Sequence, residues 1–302
     1  YRIKLIMKIV FDIYKSYFMY HLKIFIELTR LNKPIGIMLL FWPCSWGLAY
    51  AYILDQNSNI FLYYMFLFFL GSCLMRSAGC IFNDIVDKDF DKKVQRTKQR
   101  PIADGKISIK KSIIYILILC LISFLILIQF NFKTIYLGLG SMLLAFSYPF
   151  MKRITYWPQL FLGLTFNWGM IMAYTATLDQ ISIEIILLYL SAIFWTLGYD
   201  TIYGVQDIAD DEIIGIKSTA IKFKKNIKLF VSGCYLTSFL LIIFIFQKSL
   251  GVNLSTLFML IFFFILIYQI KIFEINIPSN CLKAFKINNY SGIFIFLSIF
   301  LT

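Results

Sequence analysis

Long apolar runs constrain this chain more than any other feature of its sequence. Runs of about 20 residues, enough for a helix to cross a hydrocarbon core, recur along most of its 302 residues. They hold uninterrupted Leu, Ile and Phe, whereas the strands of membrane β-barrels alternate. The sequence therefore predicts an all-α, polytopic membrane bundle of about nine transmembrane helices. The predicted spans are residues 35–54, 60–82, 112–129, 134–150, 158–178, 183–205, 227–246, 252–270 and a short last span, 289–302.

Lys and Arg are distributed unevenly around these spans. Twenty-six of the 29 lie before the first span or in the even-numbered loops, while the opposite loops carry only Lys133 and Lys248. By the positive-inside rule, the N-terminus and the even-numbered loops are expected to face the cytoplasm or the mitochondrial matrix. This rule, with attraction to anionic lipid, accounts for the formal net charge of +13 without a nucleic-acid partner.

The first 30 residues mix Lys with Ile, Phe and Tyr, a pattern typical of a basic amphipathic helix on a membrane surface. We expect residues 1–30 to form such a segment and residues 31–302 to form a single transmembrane domain. The segment is poor in Ser and contains Asp12 and Glu27, which is atypical of a mitochondrial transit peptide. This favours a bacterial inner (plasma) membrane, with the mitochondrial inner membrane as the alternative.

Ten of the 16 acidic residues fall in two short stretches, one after span two and one at the end of span six. Within each stretch, carboxylates recur three or four residues apart and so share one face of a helix. Such stacked charges repel, and a cation must compensate them. The two clusters are Asp84, Asp87, Asp89, Asp91 and Asp104, and Asp200, Asp207, Asp210, Asp211 and Glu212.

Two kinds of cation can compensate these acids. Neighbouring Lys and Arg would make a solvated loop of mixed charge, whereas a divalent ion would take the carboxylate oxygens as ligands. Because the clusters occupy equivalent places on the same predicted face, we favour metal binding. Arg76, about two turns inside span two, is expected to face the bundle interior. Further basic residues near the acids suit phosphate oxygens: Arg96, Arg100, Lys106, Arg153 and Lys217.

Carboxylates with magnesium and a ring of basic side chains are typical of a diphosphate site, in which the metal stabilises the leaving group. The lipid setting and an aromatic content of 19% favour an isoprenoid diphosphate. Its allylic cation would be stabilised by aromatic faces and protected from water. A secondary transporter is the alternative class, but its charged sites are expected near the midplane rather than at one membrane boundary.

The sequence provides few residues for histidine-based or cysteine-based catalysis. His21 is the single histidine and precedes the first span, so a Ser-His-Asp hydrolase is excluded. The six cysteines include no CxxC pair and are interpreted as small apolar packing residues.

Two longer motifs resemble a known family. "NDIVDKDFD" (83–91) with "RTKQRPIADGKIS" (96–108) is similar to the first aspartate motif of the UbiA superfamily of intramembrane aromatic prenyltransferases. "YDTIYGVQDIADDEIIGIKSTA" (199–220) is similar to the second. "TRLNKPIGIMLLFWPCSWGL" (29–48) and "RSAGC" (76–80) are most like the branch that prenylates 4-hydroxybenzoate in ubiquinone biosynthesis. A branch with a different aromatic acceptor is the alternative.

The resemblance implies transfer of a polyprenyl group from a polyprenyl diphosphate to the ring carbon ortho to the hydroxyl of 4-hydroxybenzoate. It implies two Mg²⁺ ions, one bound by Asn83, Asp84, Asp87 and Asp91 and one by Asp207 and Asp211. The residues implied to contact the diphosphate are Arg96, Arg100, Arg153 and Lys217. Arg76 would steer the benzoate carboxylate, Tyr203 would line the cation, and Asp200 would orient Tyr203 or the acceptor hydroxyl.

Overall fold

The structure, a computed structural model, describes residues 2–302, and within the first helix it describes the side chains of residues 7, 11, 12 and 14 onward. The side chains of Arg2, Lys4 and Lys8, part of the predicted basic segment, lie outside the described residues. Between residues 2 and 302 the chain is helical and forms no strand, apart from an isolated bridge between Glu274 and Ile277. The helices are α1 (Arg2–Thr29), α2 (Ile35–Asp55), α3 (Ser58–Val86), α4 (Lys88–Asp91), α5 (Ile109–Leu127), α6 (Phe132–Ile154), α7 (Pro158–Leu178), α8 (Ile183–Gly204), α9 (Ile208–Ile214), α10 (Thr219–Lys222), α11 (Ile227–Phe246), α12 (Leu254–Ile272) and α13 (Pro278–Phe300).

The long helices follow the predicted spans closely. The first eight spans each begin and end within four residues of a helix in the structure. The prediction of a short last span was wrong, because α13 begins at Pro278 and contains 23 residues. Proline is well suited to the first turn of a helix, and Lys283 and Lys286 lie exposed on α13 instead of in a loop. In the sequence, these two charges make the first half of α13 resemble a loop.

In the part of the chain that the structure describes, seven helices are long and apolar enough to cross a membrane. The seven do not include α7 and α13, which carry fully buried amide side chains at Asn167 and Asn288. The apolar runs thus predicted the architecture correctly: the chain is an all-helical, polytopic membrane protein. The count of nine spans and the side that each loop faces stay predictions.

The helices form two compact units, one of residues 1–34 and 75–121 and one of residues 35–74 and 122–302. In the larger unit, α2 packs against α7, α8 packs against α7 and α11, and α12 packs against α13. Glycine permits close approach of α2 and α7, because a Cβ atom on Gly47 of α2 would collide with the backbone carbonyl of Met170 on α7. Small residues at membrane helix interfaces allow such backbone approach, which increases van der Waals contact.

A network of buried polar side chains joins four helices of the larger unit. The Trp195 indole N–H of α8 and the Gln269 amide of α12 both donate to Asn288 Oδ1 of α13, at 2.8 and 3.1 Å. The Tyr235 hydroxyl of α11 donates to Gln269 Oε1. In an apolar interior these groups have few other partners, so the network specifies how the four helices align.

The smaller unit contains α1, the end of α3, α4, the connection 92–108 and the start of α5. Its connection is a series of turns rather than an extended loop, and Gly105 adopts a φ of 76° there. The last two turns of α1 are held by packing, and the Phe25 ring contacts the Tyr115 ring of α5 edge-on with centroids 5.3 Å apart. The buried apolar residues of this unit include Ile24, Leu28, Ile81, Val94, Ile102 and Ile107.

Replacement of Asn288 by Leu tests the polar network. The variant leaves the indole N–H of Trp195 and the amide of Gln269 without their shared acceptor. We expect the free energy of unfolding in detergent to fall by about 1–3 kcal/mol, measured by thermal unfolding. Asn276→Leu, at an exposed position between α12 and α13, is the control and should unfold like the wild type. An unchanged melting temperature for Asn288→Leu would contradict a stabilising role.

Candidate active site

The first acidic cluster lies where α3 ends and α4 begins. Asn83 and Asp84 belong to the last turn of α3, Asp87 precedes α4, and Asp91 is its final residue. Backbone hydrogen bonds from Asp87 N to Asn83 O (2.9 Å) and from Asp91 N to Asp87 O (2.8 Å) continue the helical path across the break. The four-residue spacing therefore places Asn83, Asp87 and Asp91 on successive turns, as predicted.

Burial separates the acids of this cluster. Asp84 and Asp87 are 1% exposed and Asp91 is 6% exposed, while Asn83 is half-buried. The Asp89 side chain is 88% exposed and approaches Lys92 only at 3.8 Å. Asp89 therefore belongs to the solvated surface, and three buried carboxylates remain within eight residues.

Arg100 joins two of these carboxylates. Its Nη1 donates to both oxygens of Asp91, at 3.0 and 2.9 Å, and to Oδ1 of Asp84 at 3.2 Å. Arg100 was predicted to contact diphosphate oxygens, and here it bridges two acids of the motif. The Arg100 side chain keeps 22% of its surface exposed.

Arg30 is a functional candidate that the sequence analysis missed. It lies in the turn after α1, and its Nη2 donates to both carboxylate oxygens of Asp84 at 2.7 Å. The residue falls inside the motif "TRLNKPIG" but was counted only as one of many loop charges. Its φ of 60° is unusual for a residue other than glycine, and this strain cannot be read from sequence.

Burial and charge act together on the ionisable groups of this cluster. Burial raises the pKa of the Asp91 carboxyl above its ordinary value, Arg100 opposes that shift, and the nearby Asp84 and Asp87 charges reinforce it. Burial alone would lower the pKa of the Arg100 guanidinium, but Asp84 and Asp91 outweigh it and raise that pKa. Arg30 and Arg100 thus share the charges of Asp84 and Asp91 within this cluster.

The donor set of this motif fits magnesium by its chemistry. Carboxylate and amide oxygens are hard ligands, and Mg²⁺ in phosphate sites typically takes one or two carboxylates with water and phosphate oxygens completing its shell. In the described part of the chain, no three Asp, Glu, His or Cys side chains converge into a metal cage. For Asp84 and Asp91 the reason is visible, because Arg100 lies between them.

The second acidic cluster follows α8 in the larger unit. Asp200 lies one turn before the end of α8, Asp207 precedes α9, and Asp211 lies within α9. All three side chains are half-buried, in contrast with the deeply buried acids of the first cluster. Gly215 ends α9 with a φ of 76°, and its N–H donates to the Asp211 carbonyl.

Two predicted phosphate-binding residues lie close together in this unit. The Lys217 N–H donates to Lys152 O (2.8 Å) and its Nζ donates to Ile154 O (3.1 Å), so the residue sits beside Arg153 at the end of α6. The next residues are also fixed, because the Thr219 N–H donates to Gln159 Oε1 and the Thr219 hydroxyl pairs with that of Thr201 on α8. The loop 215–219 thus joins α6, α7 and α8.

The remaining predicted residues occupy different surroundings. Tyr203 packs on Phe285, with ring centroids 4.6 Å apart. Phe285 continues a chain of aromatic contacts through Tyr199 and Trp195. Arg76 is half-buried on α3, where its Nη1 donates to Cys80 Sγ at 2.8 Å. Arg96 is exposed in the connection after α4.

Comparison with known proteins identifies the class of protein that this architecture and these motifs define. The family model of the UbiA prenyltransferase family matches residues 40–297, so the chain belongs to that family. Its fold is similar to that of the apo UbiA homolog from Aeropyrum pernix K1, with a TM-score of 0.72, 22% identity, and coverage of 87% of this chain and 96% of that one. The UbiA homolog from Archaeoglobus fulgidus bound to GPP and Mg²⁺ gives a TM-score of 0.65 at 17% identity, covering 92% of this chain and 100% of that one.

Similarity to curated proteins is more specific. The chain is 42% identical over 290 residues to the mitochondrial 4-hydroxybenzoate polyprenyltransferase of Bos taurus, covering 92% of this chain and 74% of the relative. The corresponding protein of Homo sapiens is 40% identical with the same coverage. That of Drosophila pseudoobscura pseudoobscura is 40% identical over 92% of this chain and 70% of the relative. The resemblance inferred from the two aspartate motifs is thereby confirmed.

Gly215→Ala tests how the turn after α9 positions Lys217. An alanine in the left-handed region costs about 1–2 kcal/mol, so this variant should melt at a lower temperature and lose activity as Lys217 shifts. Gly233→Ala on α11 is the matched control, since open space surrounds that site and alanine favours a helix. Equal melting temperatures for the two variants would contradict the strain at residue 215.

Proposed function

We propose that this protein transfers a polyprenyl group from a polyprenyl diphosphate to 4-hydroxybenzoate, at the ring carbon ortho to the hydroxyl, and releases diphosphate. The observation that carries the proposal is 40–42% identity, over 92% of the chain, to relatives named 4-hydroxybenzoate polyprenyltransferase. Membership of a prenyltransferase family favours an enzyme over the transporter alternative. Because these relatives are named mitochondrial, we favour the mitochondrial inner membrane over the bacterial one.

The proposed reaction is an electrophilic aromatic substitution. The bond between the allylic carbon and the diphosphate oxygen breaks, and its electron pair leaves with the diphosphate. The ring carbon ortho to the hydroxyl then forms a bond to the allylic carbon and loses its proton, which restores aromaticity. The protein must therefore stabilise an anion that leaves and a cation that forms, while excluding water.

Each acidic motif is proposed to bind one magnesium ion. Asn83, Asp87 and Asp91 would be the residues of the first motif that face the ion, and Asp207 and Asp211 those of the second. Magnesium, when bound, neutralises the diphosphate and stabilises it as a leaving group. A UbiA homolog bound to GPP and Mg²⁺ is known from Archaeoglobus fulgidus, which supports this choice of ion.

Basic and aromatic side chains supply the rest of the proposed chemistry. Lys217, in the loop after α9, is held beside Arg153 at the end of α6. Both would donate to phosphate oxygens, with Arg96 and Arg100 as further donors. The face of Tyr203 would stabilise the allylic cation. Arg76, half-buried on α3, would pair with the carboxylate of the acceptor. Asp200, one turn before Tyr203, would orient that phenol or the acceptor hydroxyl.

A direct assay tests the proposed function. Membranes that contain the protein, supplied with Mg²⁺, a polyprenyl diphosphate and 4-hydroxybenzoate, should yield 3-polyprenyl-4-hydroxybenzoate, detected by mass spectrometry. EDTA should abolish the product and added Mg²⁺ should restore it. A panel of other hydroxylated aromatic acceptors under the same conditions distinguishes this branch from its relatives. Faster turnover of another acceptor would refute the assignment of 4-hydroxybenzoate while leaving the enzyme class intact.

The two metal motifs are tested by single amide substitutions. Asp87→Asn and Asp207→Asn each remove one carboxylate charge and should lower kcat on the order of 10²-fold or more, while the protein still inserts into membranes. Asp89→Asn is the control in the first motif, because that side chain is 88% exposed, and should keep nearly full activity. Near-normal turnover by Asp207→Asn would remove the second ion from the proposal.

A further inference from the structure

Arg30 commits both of its terminal nitrogens to groups inside the smaller unit. Nη1 donates to Glu27 O (2.7 Å) and Leu28 O (3.3 Å), which are carbonyls of the last turn of α1. Nη2 donates to both oxygens of Asp84, each at 2.7 Å. One guanidinium thus caps α1 and binds the first aspartate of the motif at the end of α3.

The backbone conformation of Arg30 indicates that its contact with Asp84 serves a purpose. A φ of 60° places a side chain in the left-handed region, which is disfavoured for residues with a Cβ atom. Strained residues persist where surrounding contacts over-determine them. Here the cap of α1 and the pair with Asp84 supply those contacts, and Leu28 and Thr29 beside Arg30 are fully buried.

Asp84 has little capacity left for a metal ion. A carboxylate offers about four lone-pair positions, and three already accept hydrogen bonds, two from Arg30 and one from Arg100. The side chain is 2% exposed. The two guanidinium groups also neutralise the charge of this carboxylate, which weakens its attraction for a dication. Asp91 accepts both of its hydrogen bonds from Arg100, at 3.0 and 2.9 Å, and does not take part in the contact with Arg30.

We infer that Asp84 is a positioning residue and not a magnesium ligand. Together with Arg30 it forms a clamp, Arg30–Asp84, that ties the end of α1 to the aspartate motif and holds Arg100 beside Asp91. This assignment replaces the role of Asp84 that the family resemblance implies and leaves Asn83, Asp87 and Asp91 as the ion-facing residues. It rests on the proposed function only in assuming that the first motif binds a divalent ion.

Cysteine substitution with cadmium as the probe distinguishes a ligand from a positioning residue without an activity measurement. Cd²⁺ bound by a thiolate gives an ultraviolet charge-transfer band, and wild-type protein provides the background of the six native cysteines. Asp87→Cys should gain this band on addition of Cd²⁺, whereas Asp84→Cys should not. A band of equal strength in Asp84→Cys would overturn the inference. If neither the wild type nor Asp87→Cys binds Cd²⁺, the metal site in the proposed function is refuted. The clamp is then tested by thermal unfolding alone.

The clamp itself is tested by thermal unfolding of the full-length protein in detergent. Arg30→Gln and Asp84→Asn should each lower the melting temperature, because each removes one side of the Arg30–Asp84 ion pair and leaves the other charge with fewer hydrogen bonds. The double variant should melt at or above the lower of the two singles rather than at the sum of their shifts. The exposed pair Lys106–Asp104, at 2.7 Å, is the matched control, and its variants should shift the melting temperature little. Additive shifts for Arg30 and Asp84 would refute the clamp.

Inhibition of the enzyme by inorganic diphosphate tests the positioning role of Asp84. If Asp84 acts through Arg100, Asp84→Asn and Arg100→Gln should each weaken inhibition by about tenfold, the loss expected for one hydrogen bond between charged groups. The double variant should be no weaker than Arg100→Gln alone. If the fold-losses of inhibition in the two single variants multiply in the double variant, Asp84 contacts the ligand independently. That result would contradict a role through Arg100.

Discussion

The compensation of buried negative charge is the constraint on which the rest of the smaller unit depends. Asp84, Asp87 and Asp91 are almost fully buried within eight residues, where the low dielectric strengthens their repulsion. Arg30 and Arg100 offset part of this charge through hydrogen bonds of 2.7–3.2 Å to Asp84 and Asp91. The turns that follow α4 are therefore shaped by the need to bring Arg100 back to the motif, and the strained turn after α1 by the need to deliver Arg30.

The larger unit holds functional loops at the ends of apolar helices. In lipid, the hydrophobic effect does not favour one alignment of its helices over another. Close helix contacts at glycines and hydrogen bonds between buried amide side chains determine the alignment instead. Asn288 and Gln269 align four helices, while Thr219 and Lys217 attach the loop after α9 to α6, α7 and α8. The half-buried acids Asp207 and Asp211 lie just before this attached loop in the chain.

Much of this could be predicted from sequence, and the failures have physical causes. Span boundaries were predicted to within four residues for eight helices, because apolar length is a local property. The start of α13 was misplaced because Lys283 and Lys286 resemble loop residues when their exposure on a helix is not known. Arg30 was missed for a related reason: a charge in a basic segment carries no sign of which carboxylate it will meet 54 residues later.

By itself the sequence determined the membrane architecture, the family and the two aspartate motifs, since each depends on residue types and spacings along the chain. Tertiary structure alone decided which charges pair, because pairing depends on distances between segments far apart in sequence. It divided the acids into buried and solvated groups, with Asp84 and Asp89 at opposite extremes although five residues separate them. Burial and pairing set the electrostatic role of a carboxylate, so Asp84, Asp87 and Asp91 have unequal roles despite their equal appearance in the sequence.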